Sequence, residues 1–531
     1  MKKLSSSVVL MVSFIVIVLL TFNVNSVFAI GSTPEAKNMR LVGFDNLQAR
    51  SAYQPIAYQQ DGRWIAYIGH HGGAALNKQT GVMENNGTSI VDVTDPTRPR
   101  YLKHIPGPSG VGEAGGAQMV RACGAKELPN ANLNNDPDRK KHYLLRATAN
   151  GHEVYDVSDP ANPKLVVSII ANLDDTHKNF WECDTGIAYL VVDGQSLADG
   201  LLGNAKVPSG LTNWRVGRMT MVVDLSNPAD PKFIRLWGIN GQQPGTTGTI
   251  PGALHGPISI GPKGIKGVTE RVYFGHETGS NGILQIVDRK KLLDPANNGC
   301  PTSPNWQTLP TAADLNCPQL GRLDTSVTMG AHTVFPLLRQ PVPSLAAQAQ
   351  NSTRDFVILT NEAGGGSAAG ICTGNRQLVY FVDVTTTNGT PSNESRPMGI
   401  SSFQVPEDSG DFCNRGGRFG SHSSSEDFTS VFYGKMIFIA YFNAGVRALD
   451  IRDPFLPKEV GYYIPATTSD TDVRCTTVTI TPGQPAVEIC NFAIQTNNVD
   501  VDSRGYIYIV DRANTGMHIL QLTGKALDVL K

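Results

Sequence analysis

Histidines carry most of the chemistry that this sequence could perform. Three of the eleven lie in short runs of small residues, which read Ala253-Leu254-His255-Gly256, Gly330-Ala331-His332-Thr333 and Gly420-Ser421-His422-Ser423. Neutral imidazole is a good ligand for zinc, copper and iron, and carboxylates can complete such a site or orient a histidine. If the fold brings these imidazoles together, they could bind a transition metal that activates water for hydrolysis or carries oxygen chemistry.

Other polar side chains could join that site. The further candidate metal ligands are His177, His70 and His71, and the candidate catalytic residues are Glu182, His276, Glu277 and Glu362. Of these, Glu182 and Glu362 could complete a metal site or orient a histidine. A carboxylate placed as in Gly275-His276-Glu277 could act as a general base. A second interpretation stays open, because histidines flanked by small residues could simply fill a central channel and hydrogen-bond to the backbone.

A recurring sequence pattern gives the elements that must position these side chains. An apolar strand ends in Asp, a short polar turn and Pro-x-x-Pro follow, and a second apolar strand begins. The clean copies run over 89–96, 154–160, 221–228 and 448–454, and two copies that keep only the strand run over 284–288 and 379–383. Asp-Pro and Asn-Pro end a strand because the Asx side chain caps a turn and proline presets φ. The second proline lacks an N–H, so the strand that it begins should be the outermost of its sheet.

Each copy follows another apolar run, which in turn follows a less apolar segment. Four short strands per unit are typical of a propeller blade. Six Asp-terminated copies and a last unit, with strands at 491–500, 506–510 and 518–522, predict an all-β, seven-bladed β-propeller with four-stranded blades. The last unit lacks an outer strand, and Met39-Arg40-Leu41-Val42-Gly43-Phe44 has no blade of its own. We expect this N-terminal strand to close the last blade, with 526–530 as the alternative.

The repeats also resemble a known family. Ile90-Val91-Asp92-Val93, Val154-Tyr155-Asp156-Val157 and the run 446–454 are similar to the LVIVD repeat. The resemblance implies a β-propeller but no single activity, since propellers host enzymes and binding modules alike. In such a blade the loop into the inner strand and the loop after the second strand share one face. His255, His332 and His422 would then start the inner strands of three successive blades.

The composition agrees with a β fold and excludes one class of partner. The 531 residues include 54 glycines and 33 prolines, and only 17% are charged. That is a turn-rich β composition. The formal net charge of -1 offers no basic field, so nucleic acid is not an expected partner.

The N-terminus predicts export. Lys2 and Lys3 precede an apolar run from Val8 to Leu20, and Val27-Phe28-Ala29 places a small residue at the expected cut. An uncleaved anchor is the alternative, but this run is shorter than the roughly 20 residues that a spanning helix needs. We therefore expect a signal peptide over residues 1–29, a single propeller domain over 30–531, a secreted or periplasmic location, and no stable membrane span after cleavage.

Eight cysteines support that location. An even number in an exported chain favours disulfides, although sequence alone cannot fix their connectivity. Pairing in sequence order is the preferred arrangement. It would join Cys123 with Cys183, Cys300 with Cys317, Cys372 with Cys413, and Cys475 with Cys490.

Two functional hypotheses from different classes follow. The first is a metal-dependent enzyme, an oxidoreductase or hydrolase, that acts on a small molecule at the histidine-rich face and uses zinc, copper or iron. The second is an extracytoplasmic binding or scaffold module that recognises a protein, a glycan or a cell-surface component.

Overall fold

The computed structural model describes residues 33–131, 136–202, 208–345, 352–362, 378–386, 393–478, 485 and 487–531. The predicted signal peptide and Cys372 lie outside these residues. Within them, no helix has both the length and the apolar character that crossing a membrane requires.

Seven antiparallel sheets of four or five strands follow one another along the chain, and each forms one blade of a β-propeller. Blade 1 holds Ala52–Gln60, Arg63–Gly72, Gly87–Asp92 and Arg100–Pro106. Blade 2 holds Met119–Gly124, His142–Thr148, Gly151–Asp156 and Lys164–Ala171. Blade 3 holds Thr176–Trp181, Ile187–Asp193, Arg218–Asp224 and Lys232–Trp237.

The remaining blades follow the same order from the inside outwards. Blade 4 holds Leu254–Ser259, Arg271–His276, Ile283–Asp288 and Gln319–Asp324. Blade 5 holds Thr333–Pro341, Thr353–Thr360, Val379–Asp383 and Met398–Phe403. Blade 6 holds Met436–Ala440, Val446–Asp450 and Lys458–Ile464, with 421–425 bridged to its inner edge. Blade 7 holds Thr496–Val501, Tyr506–Asp511 and Met517–Leu522, with Met39–Asp45 outermost.

Smaller elements decorate this ring. Two hairpins, Ala74–Asn77 with Val82–Asn85 and Val473–Val478 with Val487–Phe492, stand outside the blades, and Gly112–Ala117 pairs with the second strand of blade 1. The α-helices of the described residues are Arg289–Leu293, Ala312–Asn316 and Gly524–Asp528. The inner strands contact one another around the ring and enclose a central space, which we call the hub.

The repeated aspartate has the role that the sequence predicted. All six Asp-terminated copies are third strands. In five of them the terminal carboxylate accepts a hydrogen bond from a backbone N–H in the turn, and Asp288 in blade 4 instead caps the helix Arg289–Leu293. In blade 1, Asp92 accepts from Thr94 N at 3.0 Å, and Asp95 then accepts from Thr97 N at 3.0 Å. Two successive Asx turns therefore reverse the chain before the outer strand begins.

The ring closes through the N-terminus, as predicted. Met39–Asp45 pairs antiparallel with Met517–Leu522, and the interface with blade 1 buries apolar side chains of both blades, including Val91 and Ile519. The alternative closing strand is wrong, because Gly524–Asp528 is helical. The inner strand of blade 7 begins at Thr496, so the predicted start at residue 491 is also wrong.

In blades 2 and 6 the strand that follows the Pro-x-x-Pro turn is not the outermost of its sheet, so the prediction is wrong for these two blades. Leu201–Leu202 pairs with the last strand of blade 2, and Glu35–Lys37 pairs with the last strand of blade 6. The extra strands pair near the ends of Lys164–Ala171 and Lys458–Ile464, away from the prolines that precede them. The missing N–H therefore does not prevent this pairing.

Every blade has a β-bulge between its third and outer strands. In each blade an aliphatic residue of the outer strand is left unpaired; in blade order these residues are Leu102, Val166, Ile234, Leu320, Ile400, Val460 and Val42, and blade 2 has a second at Ile169. A bulge increases the local twist and makes a sheet edge a poorer template for pairing with another chain.

Three of the four predicted disulfides are present in the described residues. Cys123–Cys183 joins blade 2 to blade 3, Cys300–Cys317 closes an insertion of blade 4, and Cys475–Cys490 closes a hairpin between blades 6 and 7. Such bonds indicate an oxidising compartment.

Candidate functional site

Five histidines from five blades meet at the hub, and we call them the hub histidines. His177 and His255 lie in the inner strands of blades 3 and 4, His332 directly precedes the inner strand of blade 5, and His422 lies in the inner segment of blade 6. His71 reaches the hub from the second strand of blade 1. All five are at most 4% exposed.

The hub histidines of blades 3 to 6 form a continuous row. The ring centroids are 4.5 Å apart between His177 and His255, 3.7 Å between His255 and His332, and 4.2 Å between His332 and His422. The three imidazoles predicted as ligands are therefore neighbours. The fold also supplies the reason, because successive blades place equivalent positions around one axis.

Bulges at the beginning of several inner strands turn side chains toward the hub. The register with the second strand shifts at His255 in blade 4, at His177 and Lys178 in blade 3, and at Tyr53 and Gln54 in blade 1. A bulge re-aims a side chain that regular alternation would send elsewhere. These residues face the hub because of local irregularity, which apolar periodicity does not reveal.

Tyr53 occupies the middle of the histidine group. Its hydroxyl lies 3.0 Å from Nε2 of His177 and 3.5 Å from Nε2 of His255, and its ring packs edge-on against His71 at 4.8 Å between centroids. Complete burial raises the pKa of Tyr53 well above its usual value. The phenol is therefore protonated at neutral pH and can donate to one of these imidazoles.

Two carboxylates reach the histidine group. Coordinating atoms of His332, Glu362 and His422 all lie within 4.8 Å of one another, and Oε1 of Glu362 is 4.0 Å from Nε2 of His422. On the blade 1 side, Oε1 of Glu113 lies 3.3 Å from Nε2 of His71. The side chain of Glu113 is 45% exposed, so this side of the group is accessible to solvent.

Arginines hold these carboxylates. Arg418 donates to Glu362 at 2.7 Å, and Nη2 of Arg512 lies 3.4 Å from Glu113. Burial opposes ionisation of both carboxyls. However, the contact with His71 and the charge of Arg512 hold the pKa of Glu113 well below its usual range, and the charge of Arg418 lowers the pKa of Glu362.

The hub histidines are neutral at physiological pH. Burial lowers the pKa of His71 and of His422 to about 4, and it lowers the pKa of His177, His255 and His332 well below the usual value. Each imidazole therefore has a lone pair available for a metal ion or a hydrogen-bond donor.

The tautomer of His422 follows from its partner. Its Nδ1 lies 2.6 Å from the carbonyl oxygen of Asn497, and a carbonyl can only accept, so Nδ1 carries the proton. The lone pair of Nε2 then faces Glu362. A backbone carbonyl that fixes ring orientation in this way is the usual outer partner of a metal-bound histidine.

A second charged layer adjoins the imidazoles. Lys178 and Arg121 both form ion pairs with Glu426, with Nη2 of Arg121 at 2.6 Å from its carboxylate. Burial lowers the pKa of Lys178 well below its usual value. Lys178 directly follows His177, so this ion-pair cluster lies beside the histidine group.

The structure does not bring the other predicted residues into this group. His70 lies inside blade 1, where both ring nitrogens have partners in Ser51 and Ser89. His276 faces the carbonyl of Gly252 at 3.3 Å, and Glu277 accepts from Ala253 N at 2.8 Å. These three side chains hold local structure within and beside their blades.

Glu182 is also part of the framework. It forms an ion pair with Arg289 at 2.7 Å and accepts hydrogen bonds from Tyr189 and Ser259. All these partners belong to blades 3 and 4, so the buried carboxylate joins two neighbouring blades.

Sequence reasoning missed Tyr53, Glu113 and Arg512. Glu113 lies in a glycine-rich strand that does not belong to the repeat pattern, and Arg512 follows the second strand of blade 7, a unit without the Asp-Pro signature. Tyr53 begins the inner strand of blade 1. Its equivalence to the histidines of other blades was the one signal that could have identified it.

Comparison with known proteins does not assign the chain to a family. No family model matches the chain. No curated protein matches it. Among solved structures, the β-propeller domain of Cps50 (Swd1) from Myceliophteria thermophila is similar at 7% identity and a TM-score of 0.42, covering 92% of this chain and all of that chain. A hypothetical selenium-binding protein from Sulfolobus tokodaii is similar at 12% identity and a TM-score of 0.42, covering 85% of this chain and 90% of that chain. The resemblance to the LVIVD repeat stays a prediction.

Proposed function

We propose that this protein is an exported, metal-dependent oxidoreductase that acts on a small molecule at the hub. His332, His422 and Glu362 would supply the first ligands, with His255 beside them. The observation that carries the proposal is the convergence of coordinating atoms from these first three side chains to within 4.8 Å at the hub. Two imidazoles and one carboxylate with open coordination positions suit redox-active iron, and additional imidazoles suit copper.

The chain's own residues are arranged to keep such a site in order. The carbonyl of Asn497 orients His422, and Arg418 holds Glu362 in its ionised form. When bound, iron or copper would supply one-electron and oxygen chemistry that no side chain can perform. Glu362 would then complete the metal site as a ligand, which is one of the two roles that the sequence suggested for it.

Export is part of the same proposal. The disulfides favour an oxidising compartment, and the predicted signal peptide would deliver the chain there. A secreted or periplasmic location follows. A module that only bound a protein or glycan through its loops would have no need for buried, neutral imidazoles that face a carboxylate.

Metal analysis tests the proposal. The mature protein is reconstituted with copper or iron, desalted and measured by elemental analysis beside His422→Ala and Glu362→Gln. We expect each variant to bind about one ion per chain less than the parent. The control is His152→Ala, which removes a buried imidazole that donates to Val191 O at 2.8 Å within the blades, and it should keep the parental metal content.

Two results would contradict the proposal. A parent protein that retains no metal, or variants that bind as much as the parent, would favour the binding-module hypothesis. The redox assignment has its own test, because a bound copper or iron ion should lose its oxidised-state electron paramagnetic resonance signal on reduction and regain it in air. Retention of zinc alone would favour a hydrolase instead.

A further inference from the structure

A polar cavity adjoins the hub on its blade 1 side. It has a volume of about 240 Å³, and its wall includes His71, Arg474 and Arg512, together with small residues such as Gly73 and Ala74. Because His71 is one of the hub histidines, the cavity reaches the histidine group. Sites for drug-sized ligands have volumes of roughly 300–1,000 Å³, so this cavity suits a smaller molecule.

The two arginines of the cavity wall have donors that the protein does not use. Nη2 of Arg512 lies 3.4 Å from Glu113, and its buried Nη1 makes no hydrogen bond with the described residues. Nη2 of Arg474 donates to Asp472 at 3.0 Å and to the carbonyl oxygen of Arg512 at 2.6 Å, but its Nε has no partner among the same residues. A guanidinium has five N–H donors, so both arginines can donate to a further acceptor.

Arg415 shows that an arginine in a cavity wall does not have to leave donors unused. It lines a different cavity, of about 540 Å³, near the outer strand of blade 6. Its Nε donates to the carbonyl oxygen of Gly410 at 2.7 Å, and Nη1 and Nη2 donate to Glu35 at 2.6 and 3.3 Å. All three nitrogens of Arg415 therefore have acceptors within the protein, in contrast to those of Arg474 and Arg512.

The charged side chains of the cavity wall favour a ligand with one negative charge. Burial, followed by the charges of Arg512 and Arg474, lowers the pKa of His71 to about 4, so both guanidiniums lie near this neutral imidazole. The two arginines give the wall two positive charges and Asp472 gives it one negative charge, which leaves one positive charge. Glu113 contacts Arg512 but does not line the cavity. A monoanion therefore balances the wall, whereas a dianion exceeds it.

We propose that this cavity binds a small monocarboxylate, with Arg474 and Arg512 donating to the carboxylate oxygens. The planar fork of a guanidinium matches the two oxygens of a carboxylate. The small side chains of Gly72, Gly73 and Ala74 in the wall leave room for a short carbon chain. A monocarboxylate as the substrate class of the proposed oxidoreductase rests on that proposal, whereas binding at the two arginines does not.

A ligand-observed NMR titration with butyrate tests the site. The full mature chain is measured as purified and again after chelation and desalting, beside Arg474→Gln and Arg512→Gln. We expect butyrate to bind the parent with or without metal, and each substitution to weaken binding about tenfold because it removes charge-assisted hydrogen bonds. The uncharged butyramide should bind at least about tenfold more weakly than butyrate. The control is Arg415→Gln, which should bind butyrate like the parent.

The outcomes separate this site from the proposed metal site. Butyrate that does not bind the parent, or that binds the two arginine variants as tightly, would overturn the carboxylate site. Binding that is lost with the metal would place the carboxylate on the metal and overturn its assignment to the arginines. Tighter binding of inorganic phosphate, weakened by the same substitutions, would overturn the monocarboxylate in favour of an inorganic oxyanion. Butyrate binding by a parent that retains no metal would support this site and overturn the proposed function. Arg474 is 34% exposed, so Arg474→Gln keeps the test decisive even if Arg512→Gln does not fold.

Discussion

At the scale of single residues, the surroundings of each histidine divide the eleven into those with open nitrogens at the hub and those inside the blades. The hub histidines face carboxylates, a phenol and one another. His70 and His152 instead bond to strand backbone or side chains within the sheets. The same residue type therefore serves as a candidate ligand in one place and as framework in the other.

His518 predicts how stability depends on pH. It is fully buried against Phe44, and burial lowers its pKa to about 3, whereas an unfolded histidine titrates near 6.5. Below pH 6.5 the unfolded chain binds a proton that the folded chain does not, so stability is lost as pH falls toward 3. His518→Phe should reduce the slope of unfolding free energy against pH in this window by about 1 kcal/mol per pH unit. Denaturant unfolding between pH 7 and pH 4 measures it, and parallel slopes for parent and variant would refute the prediction.

Replacement of Glu182 should lower stability without changing metal binding. Its carboxylate is buried with Arg289, and its removal leaves the Arg289 charge with Glu270, at 3.1 Å, as its remaining carboxylate partner. We expect Glu182→Ala to cost about 3 kcal/mol of unfolding free energy, the low end for a broken buried pair. The metal content per folded chain should not change, because Glu182 lies between blades 3 and 4 and not at the hub. Loss of metal from a Glu182→Ala protein of unchanged stability would instead indicate that Glu182 belongs to the metal site.

At the scale of elements, bulges perform two tasks that regular strands cannot. Those at the starts of inner strands turn Tyr53, His177 and His255 toward the hub. Those in the outer strands place at least one aliphatic residue out of register in every blade. In several blades such a residue follows the proline by three positions, as Leu102 follows Pro99. The Pro-x-x-Pro signature thus marks both the start of the outer strand and the place where it twists.

At the scale of the whole molecule, the chain ends meet in blade 7, so stability of the ring depends on a strand far from its partners in sequence. Met39–Asp45 completes a sheet whose other strands lie beyond residue 495. Closure leaves no blade without an outer strand, and the edge of Met517–Leu522 is paired rather than exposed. The Cys123–Cys183 bond adds a covalent link between two other blades.

Gly43 tests this closure. A Cβ at Gly43 would overlap the carbonyl oxygen of Pro96 in blade 1, whereas a Cβ at Gly399, in the outer strand of blade 5, would lie 3.6 Å from the Tyr380 ring, an ordinary contact. We expect Gly43→Ala to lower the unfolding free energy by about 1–3 kcal/mol through overpacking, and Gly399→Ala to change it little. Thermal melts of both variants measure the difference. Equal effects at the two glycines would show that the closing strand does not bear on stability as the structure indicates.

Local sequence patterns were enough to predict the architecture. Asp-terminated strands, Asx-Pro turns and apolar runs are local signals, since each depends on a few neighbouring residues, and their repetition predicted the seven blades and the N-terminal closure. Position within the repeat also placed His255, His332 and His422 at equivalent points of successive blades, which is why they are neighbours in the structure.

The surroundings of those histidines, in contrast, result from contacts between distant parts of the chain. Tyr53, Glu113 and Arg512 reach the hub from a bulge, an irregular strand and a loop of three different parts of the chain, and no local pattern records their approach. Burial was decided in the same way, because the neutral state of each imidazole depends on how completely other blades exclude water from it. Glu182 shows the reverse case, a candidate acid in the sequence that packing against Arg289 makes part of the framework.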